Sequence, residues 1–381
     1  MARSVGGWQA ATLAVLALSA PPVSGVRPLV AQPMPAQPLP VQPMRVPFIP
    51  AACEIPDSIH ATLARIARRV HGDVGIAAIH LETGAHLSLN GDRAFPMASV
   101  SKIPMALEFL RRVDAGHIRL DEMLVVPPKQ FRAGNSPLAR WSRGRAVRVR
   151  TDSLFSLMIG ASDNTATDVI LGMSGGPEAA TRRLRALGIE TVTVDRSEAR
   201  TFADLVGLAD TIPETKLYRT NHFRLRDALP PDQRAAARER YAEDPRDTAT
   251  PEGMAELLAL IHAGAGLTAS SRDLLLDVMT RSRSGPRRLR GLLPRGTEVA
   301  HKTGTMASAI NDVGIITLPD GAGHLAVAVF VNTLRATTWR RERTIAEAAR
   351  VLHDYFGTAY GGQAGSALAA AACRTERFSL R

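Results

Sequence analysis

Hydrophobic positions in the last third of this chain come in short dense runs instead of along one side of a helix. Val299–Thr305, Asp312–Leu318 and His324–Val331 are rich in β-branched residues and read as strands, with Pro319-Asp320-Gly321 as a turn between the last two. Near the start, Val74–Leu81 and His86–Leu89 are joined through Glu82-Thr83-Gly84 and read as a hairpin. Elsewhere the period is helical. Residues 57–71 place Ile59, Leu63, Ile66 and Val70 on one side, and residues 95–112 place Ile103, Ala106, Leu107 and Leu110 on one side. Further helices are predicted at Leu154–Ile159, 165–172, 177–187 and Pro251–Ala263, and a closing one carries Ile345, Ala348, Ala349, Leu352 and Phe356. Residues 118–126 read as short and irregular. Strands therefore come first and last with helices between, which predicts an α/β (α+β) fold. Its five-stranded antiparallel sheet is flanked by the N- and C-terminal helices, an all-helical lobe stands beside it, and a cleft lies where the two meet.

Three stretches depart from this pattern. Residues 1–25 hold Arg3 and then an apolar run, Ala10–Ala20, too short to span a bilayer, with small residues Val23 and Gly25 placed for cleavage. A signal peptide is expected, a retained anchor being the alternative. No other stretch is apolar enough to span, so the mature protein should be exported to the periplasm or the outside. Residues 26–52 follow as a spacer, with eight prolines between 26 and 50. Residues 199–247 are dense in arginine and aspartate and read as a polar insertion or lid, with one helical piece at Asp232–Tyr241. The tail, 361–381, is small, polar and expected to be loose. The catalytic domain is thus expected over 53–360.

Composition adds two things. Hydrophobic content of 45% is ample for a core, and the net charge of +11 raises the question of a nucleic-acid partner. The arginines are scattered, aromatics are few and no nucleic-acid motif is present, so no such partner is expected. The two cysteines, Cys53 and Cys373, are candidates for one disulfide in an oxidising compartment, free thiols being the alternative.

Candidate chemistry begins at Ser99 and Lys102. Residues three apart share a helix face, so a hydroxyl and an amine are presented together at a helix mouth. Only four of the 47 basic residues are lysine (Lys102, Lys129, Lys216 and Lys302). Arginine cannot serve as a base, whereas a desolvated lysine can. A lysine retained here suggests that an amine is needed.

Three motifs fall where they would meet in the predicted cleft: S-V-S-K at 99–102, S-D-N at 162–164 and K-T-G at 302–304. Together with F-P-M-A-S-V-S-K-I-P, M-I-G-A-S-D-N-T-A, V-D-R-S-E, R-D-T-A-T-P and A-H-K-T-G-T followed by N-D-V-G, they resemble the class A β-lactamases over roughly residues 54–358. The resemblance implies that Ser99 attacks a cyclic amide to form an acyl-enzyme, with Lys102 easing removal of its proton. Ser162 would relay a proton to the leaving nitrogen, and Asn164 would hold Lys102 and the substrate amide. Lys302, Thr303, Gly304 and Thr305 would line a strand edge for the substrate carboxylate, aided by Arg288. The N–H groups of Ser99 and Thr305 would form the oxyanion hole. Glu198 would activate the deacylating water, with Arg196 and Asp247 closing the neck of its loop.

The match to the family weakens beyond Glu198. The family expects proline next and an asparagine four residues after the glutamate, where this chain has Ala199 and Phe202, and the loop is much longer. Phenylalanine cannot hydrogen-bond a water. Alternatives to a β-lactamase are a peptidoglycan D-Ala-D-Ala peptidase or other amide or ester hydrolase, and a penicillin-binding or sensing protein without turnover. No metal or phosphate motif is present, so no cofactor is expected, and a monomer acting on a small-molecule substrate is the simplest arrangement.

Overall fold

The computed structural model describes residues 56–361. The leader, the spacer, both cysteines and the tail from 362 onward lie outside the described residues.

Strands β1 (Asp73–His80), β2 (His86–Leu89), β7 (Val299–Met306), β8 (Ala309–Thr317) and β9 (His324–Asn332) form one antiparallel sheet in the order β2-β1-β9-β8-β7. β1 pairs with β9 through Ala77↔Ala328, so the early hairpin joins the late strands as the pattern predicts. Both faces are covered, which explains the lack of polar alternation along β9. Leu325, Val327, Val329 and Val331 pack under helices α1 (Asp57–Arg68) and α12 (Thr338–Tyr360), while Ala326, Ala328 and Phe330 face the helical side. Each such fully buried Val or Leu stabilises the fold by about 1.5–3 kcal/mol.

The helical lobe is built around α2 (Lys102–Asp114), buried continuously from Lys102 to Leu110. Around it pack α4 (Thr151–Gly160), α5 (Asn164–Met173), α6 (Pro177–Ala186) and α11 (Ala269–Thr280), and α10 (Pro251–His262) lies between lobe and sheet. A helix apolar on all sides has to be enclosed in this way. The last of the flanking helices, α11, escaped the sequence reading although Thr268 caps it.

The structure corrects three expectations. Residues 95–112 are not one helix. Phe95–Pro96 form a strand (β3) paired with Thr248–Ala249 (β6), a 3₁₀ turn spans Ala98–Ser101, and α2 begins only at Lys102. Ala98, at φ +48°, breaks helical geometry there, and Pro104 is tolerated because the first helical turn needs no donor at its N–H. Residues 118–126 are not irregular throughout: Met123–Val126 (β4) pairs with Val147–Arg150 (β5), a partner some twenty residues on that flanks the short helix α3 (Pro137–Trp141). The insertion holds three helices, α7 (Glu198–Val206), α8 (Arg219–Asp227) and α9 (Pro231–Tyr241), of which only α9 was anticipated. Ala199, Ala203, Val206, Leu208 and Leu217 give it an apolar cluster of its own, so it is a packed subdomain and more than a polar lid.

Candidate active site

Ser99 sits in the 3₁₀ turn, and its carbonyl accepts the N–H of Lys102. This tight turn, rather than a shared α-helical face, brings the two residues together. Lys102 is fully buried. Its Nζ donates to the Ser162 carbonyl (3.0 Å), Ser162 Oγ (3.2 Å) and Asn164 Oδ1 (2.8 Å), and stands 3.2 Å from Glu198 Oε1. Four oxygens around three N–H donors are what a buried ammonium requires.

Ser162 holds a left-handed backbone, φ +55°, in the turn between α4 and α5. Asp163 fixes that turn: it caps α5 through the Ala166 N–H and accepts from the Leu138 N–H and the Ser136 hydroxyl. Asn164 opens α5, and its amide also donates to the Ala133 carbonyl at 2.9 Å.

The third segment is β7, at the edge of the sheet. Lys302 is fully buried, and its Nζ donates to Ser162 Oγ at 2.9 Å and to the Thr303 carbonyl. Two lysines, from α2 and from β7, thus converge on one hydroxyl. Burial, and then the positive charge of Lys102, push the Lys302 amine well below its ordinary value of 10.5. Gly304 touches the Ser99 turn: a Cβ there would collide with the Met97 carbonyl and crowd Val100 and Ala98. Thr305 is exposed, and its Oγ1 accepts from Arg288 Nη2 at 2.7 Å. Arg288 is buried, with Nη1 on the Gly304 and Asn311 carbonyls and Nε on Glu342. Thr303 donates to Ser284 Oγ.

Glu198 is the first residue of α7 and is buried. Asp168, on α5, accepts the N–H groups of both Glu198 (2.7 Å) and Ala199 (3.1 Å), satisfying donors that a helix start leaves free. Burial pushes the Glu198 carboxyl above the usual carboxylate range; the Lys102 ammonium opposes this and the Asp168 charge adds to it. Arg196 and Asp247 close the neck as expected, Nε to Oδ2 at 2.6 Å, and Arg196 Nη1 also reaches Asp204 (2.8 Å) and Asp244 (2.9 Å) within the insertion. Phe202 packs with Ala98, Tyr241 and Met306, its ring against Gly134.

The structure therefore brings Ser99, Lys102, Ser162, Asn164, Glu198 and Lys302 to one seam, with Thr303, Gly304, Thr305 and Arg288 along its β7 side. Sequence reasoning missed Asp168, for which there is no local signal, and left out Asp163, whose capping pattern was readable. A cleft of about 590 Å³ lies elsewhere, between the 207–210 turn and the end of α9, and holds none of these groups.

The sheet, the helical lobe and the seam between them have the architecture of class A β-lactamases. The sequence signature of the beta-lactamase enzyme family matches residues 58–356, and the chain belongs to that family. It is 30% identical over 289 residues to the extended-spectrum beta-lactamase PER-1 of Pseudomonas aeruginosa, covering 74% of this chain and 82% of that protein. A beta-lactamase structure from Chitinophaga pinensis superposes with a TM-score of 0.65 at 29% identity, covering 78% of this chain and 99% of that one. An ancestral class A beta-lactamase gives 0.63 at 30%, with coverage of 78% and 99%.

Proposed function

We propose that this protein opens the amide of a β-lactam ring through an acyl-enzyme on Ser99, and that Glu198 assists its hydrolysis. The observation that carries the reading is the bonding of Ser162. Its Oγ accepts from Lys102 at 3.2 Å and from Lys302 at 2.9 Å. With both acceptor sites occupied, its own proton is directed outward and is placed to pass to a leaving nitrogen. A proton leaving Ser99 enters the Lys102–Glu198 pair, whose members are 3.2 Å apart. Negative charge on the carbonyl oxygen falls to the N–H groups of Ser99 and Thr305; one such donor is worth about 3 kcal/mol. The substrate carboxylate is met by Lys302, Thr303 and Thr305. Arg288 acts through Thr305 Oγ1, since its other nitrogens are engaged by carbonyls and Glu342.

In the second step a water attacks the Ser99 ester and gives a proton to Glu198. The apolar run at 10–20 supports export, and no helix among the described residues is long and apolar enough to cross a membrane. Phe202 favours a second reading, a penicillin-binding protein in which the ester persists.

Mass spectrometry after mixing with penicillin tests both. A transient adduct on Ser99, absent in Ser99→Ala, is expected. A persistent adduct selects the binding protein, and no adduct at any time overturns both.

A further inference from the structure

Large apolar side chains left in water are ordinary one at a time and informative when they gather. Among the described residues, three of them belong to one unit, the β4–β5 ribbon and the short helix α3 that leads into it. The ribbon pairs Met123 with Arg150 and Val125 with Arg148, and directly opposed residues share a face. Met123 is 48% and Val125 58% exposed, while Leu124, Val147 and Val149 on the other face pack towards the core. Trp141, the last residue of α3, is 61% exposed.

The charge on this unit is one-sided. From Pro137 to Arg150 the chain has five arginines (Arg140, Arg143, Arg145, Arg148 and Arg150) and no acid. All five are exposed, and among the described residues only Arg150 is paired, with Asp152 at 2.6 Å. Asp121 is held by Arg119 at 2.9 Å, and Glu122 stands just before β4. Arg143 at φ +49° and Gly144 at φ +79° turn the chain sharply between α3 and β5, closed by the Arg145 N–H on the Ser142 carbonyl. The remaining exposed apolar residues, Leu334 and Trp339, flank the start of α12, where Glu342 and Glu347 bind Arg288 and Arg343.

We propose that the ribbon and α3 form a docking surface for an anionic lipid bilayer. Guanidinium groups bind phosphate in a fixed fork geometry, and lipid headgroups offer phosphate at the depth where tryptophan rings settle. A soluble polyanion would satisfy the arginines but leave Trp141, Met123 and Val125 in water, whereas a bilayer takes both. α3 begins directly after Ser136, whose hydroxyl donates to Asp163 of the S-D-N turn, so docking brings the seam close to the lipid surface. The inference does not depend on the acyl-enzyme reading.

The test is co-sedimentation and tryptophan fluorescence of the protein with vesicles of phosphatidylglycerol and of phosphatidylcholine. Binding to phosphatidylglycerol alone is expected, weakened by salt, with a blue shift of the emission. An arginine at an anionic surface is worth about a fivefold change in affinity, so Arg143→Gln with Arg145→Gln should weaken binding about thirtyfold. The melting temperature should not change in that variant. The blue shift should vanish in Trp141→Phe and persist in Trp339→Phe. No binding to phosphatidylglycerol, equal binding to phosphatidylcholine, or wild-type affinity in the double variant overturns the proposal. So does a shift lost in Trp339→Phe and kept in Trp141→Phe, which would assign the contact to α12. Capture by soluble dextran sulfate without any binding to vesicles also overturns it.

Discussion

Glu198 pairs with Lys102 and Lys302 donates to Ser162, and burial shifts the two in opposite directions. The Glu198 carboxyl titrates above the ordinary 4.5, so it stays protonated, and unable to accept the water's proton, at pH values where an exposed glutamate is already ionised. The acid limb of the deacylation rate is therefore expected above pH 4.5. The Lys302 amine titrates below 10.5, so its charge, and with it carboxylate binding, is lost at lower pH than for an exposed lysine. KM should rise on the alkaline side while the acylation step is less affected. In Glu198→Gln the adduct should accumulate, and the acid limb of its breakdown should disappear; unchanged hydrolysis in that variant would remove Glu198 from this role. Both lysines were legible in the sequence as rare amines in an arginine-rich chain. Their joint hold on Ser162 Oγ was not, because the residues concerned lie 60 and 140 positions apart.

Among the elements, the insertion departs most from its sequence reading. Its composition was plain, yet α7 and α8 were hidden because their apolar positions are few, and those of α7 are buried in the insertion's own small cluster. His222, on α8, is buried, and its Nδ1 has no partner among the described residues. Burial and the charges of Arg226 and Arg219 push it down to about 4, with Asp227 opposing. Unfolded, it would titrate near 6.5, so as pH falls from 6.5 towards 4 the unfolded state binds a proton that the folded state refuses. Its contribution to stability is complete above 6.5 and is lost across that window. The melting temperature should fall between pH 7 and pH 4.5, and His222→Leu should flatten that decline. Parallel profiles for the two proteins would show that other groups govern it.

For the whole molecule, the decisive feature is the contact between sheet and helical lobe at Gly304. The glycine lets β7 approach the Met97 carbonyl and the Ser99 turn, so the two sides of the seam are registered by backbone instead of by adjustable side chains. Gly304→Ala should force the strand and the turn apart. Displacement of reacting groups by about 1 Å costs on the order of a hundredfold in rate. A comparable loss in kcat/KM is expected, with the far-ultraviolet circular dichroism unchanged; retained activity would place the seam's rigidity elsewhere.

The sequence alone determined what depends on neighbours along the chain: the strand runs at both ends, the buried α2, and three short motifs that mark a family. Periodicity and turn chemistry act over a few residues, so they survive reading one residue after another. Tertiary structure alone decided what depends on residues distant in the chain meeting. It placed Asp168 under the start of α7, set Phe202 against Gly134, and brought Lys102 and Lys302 onto one hydroxyl. Those contacts arise only when separate segments bury their surfaces together.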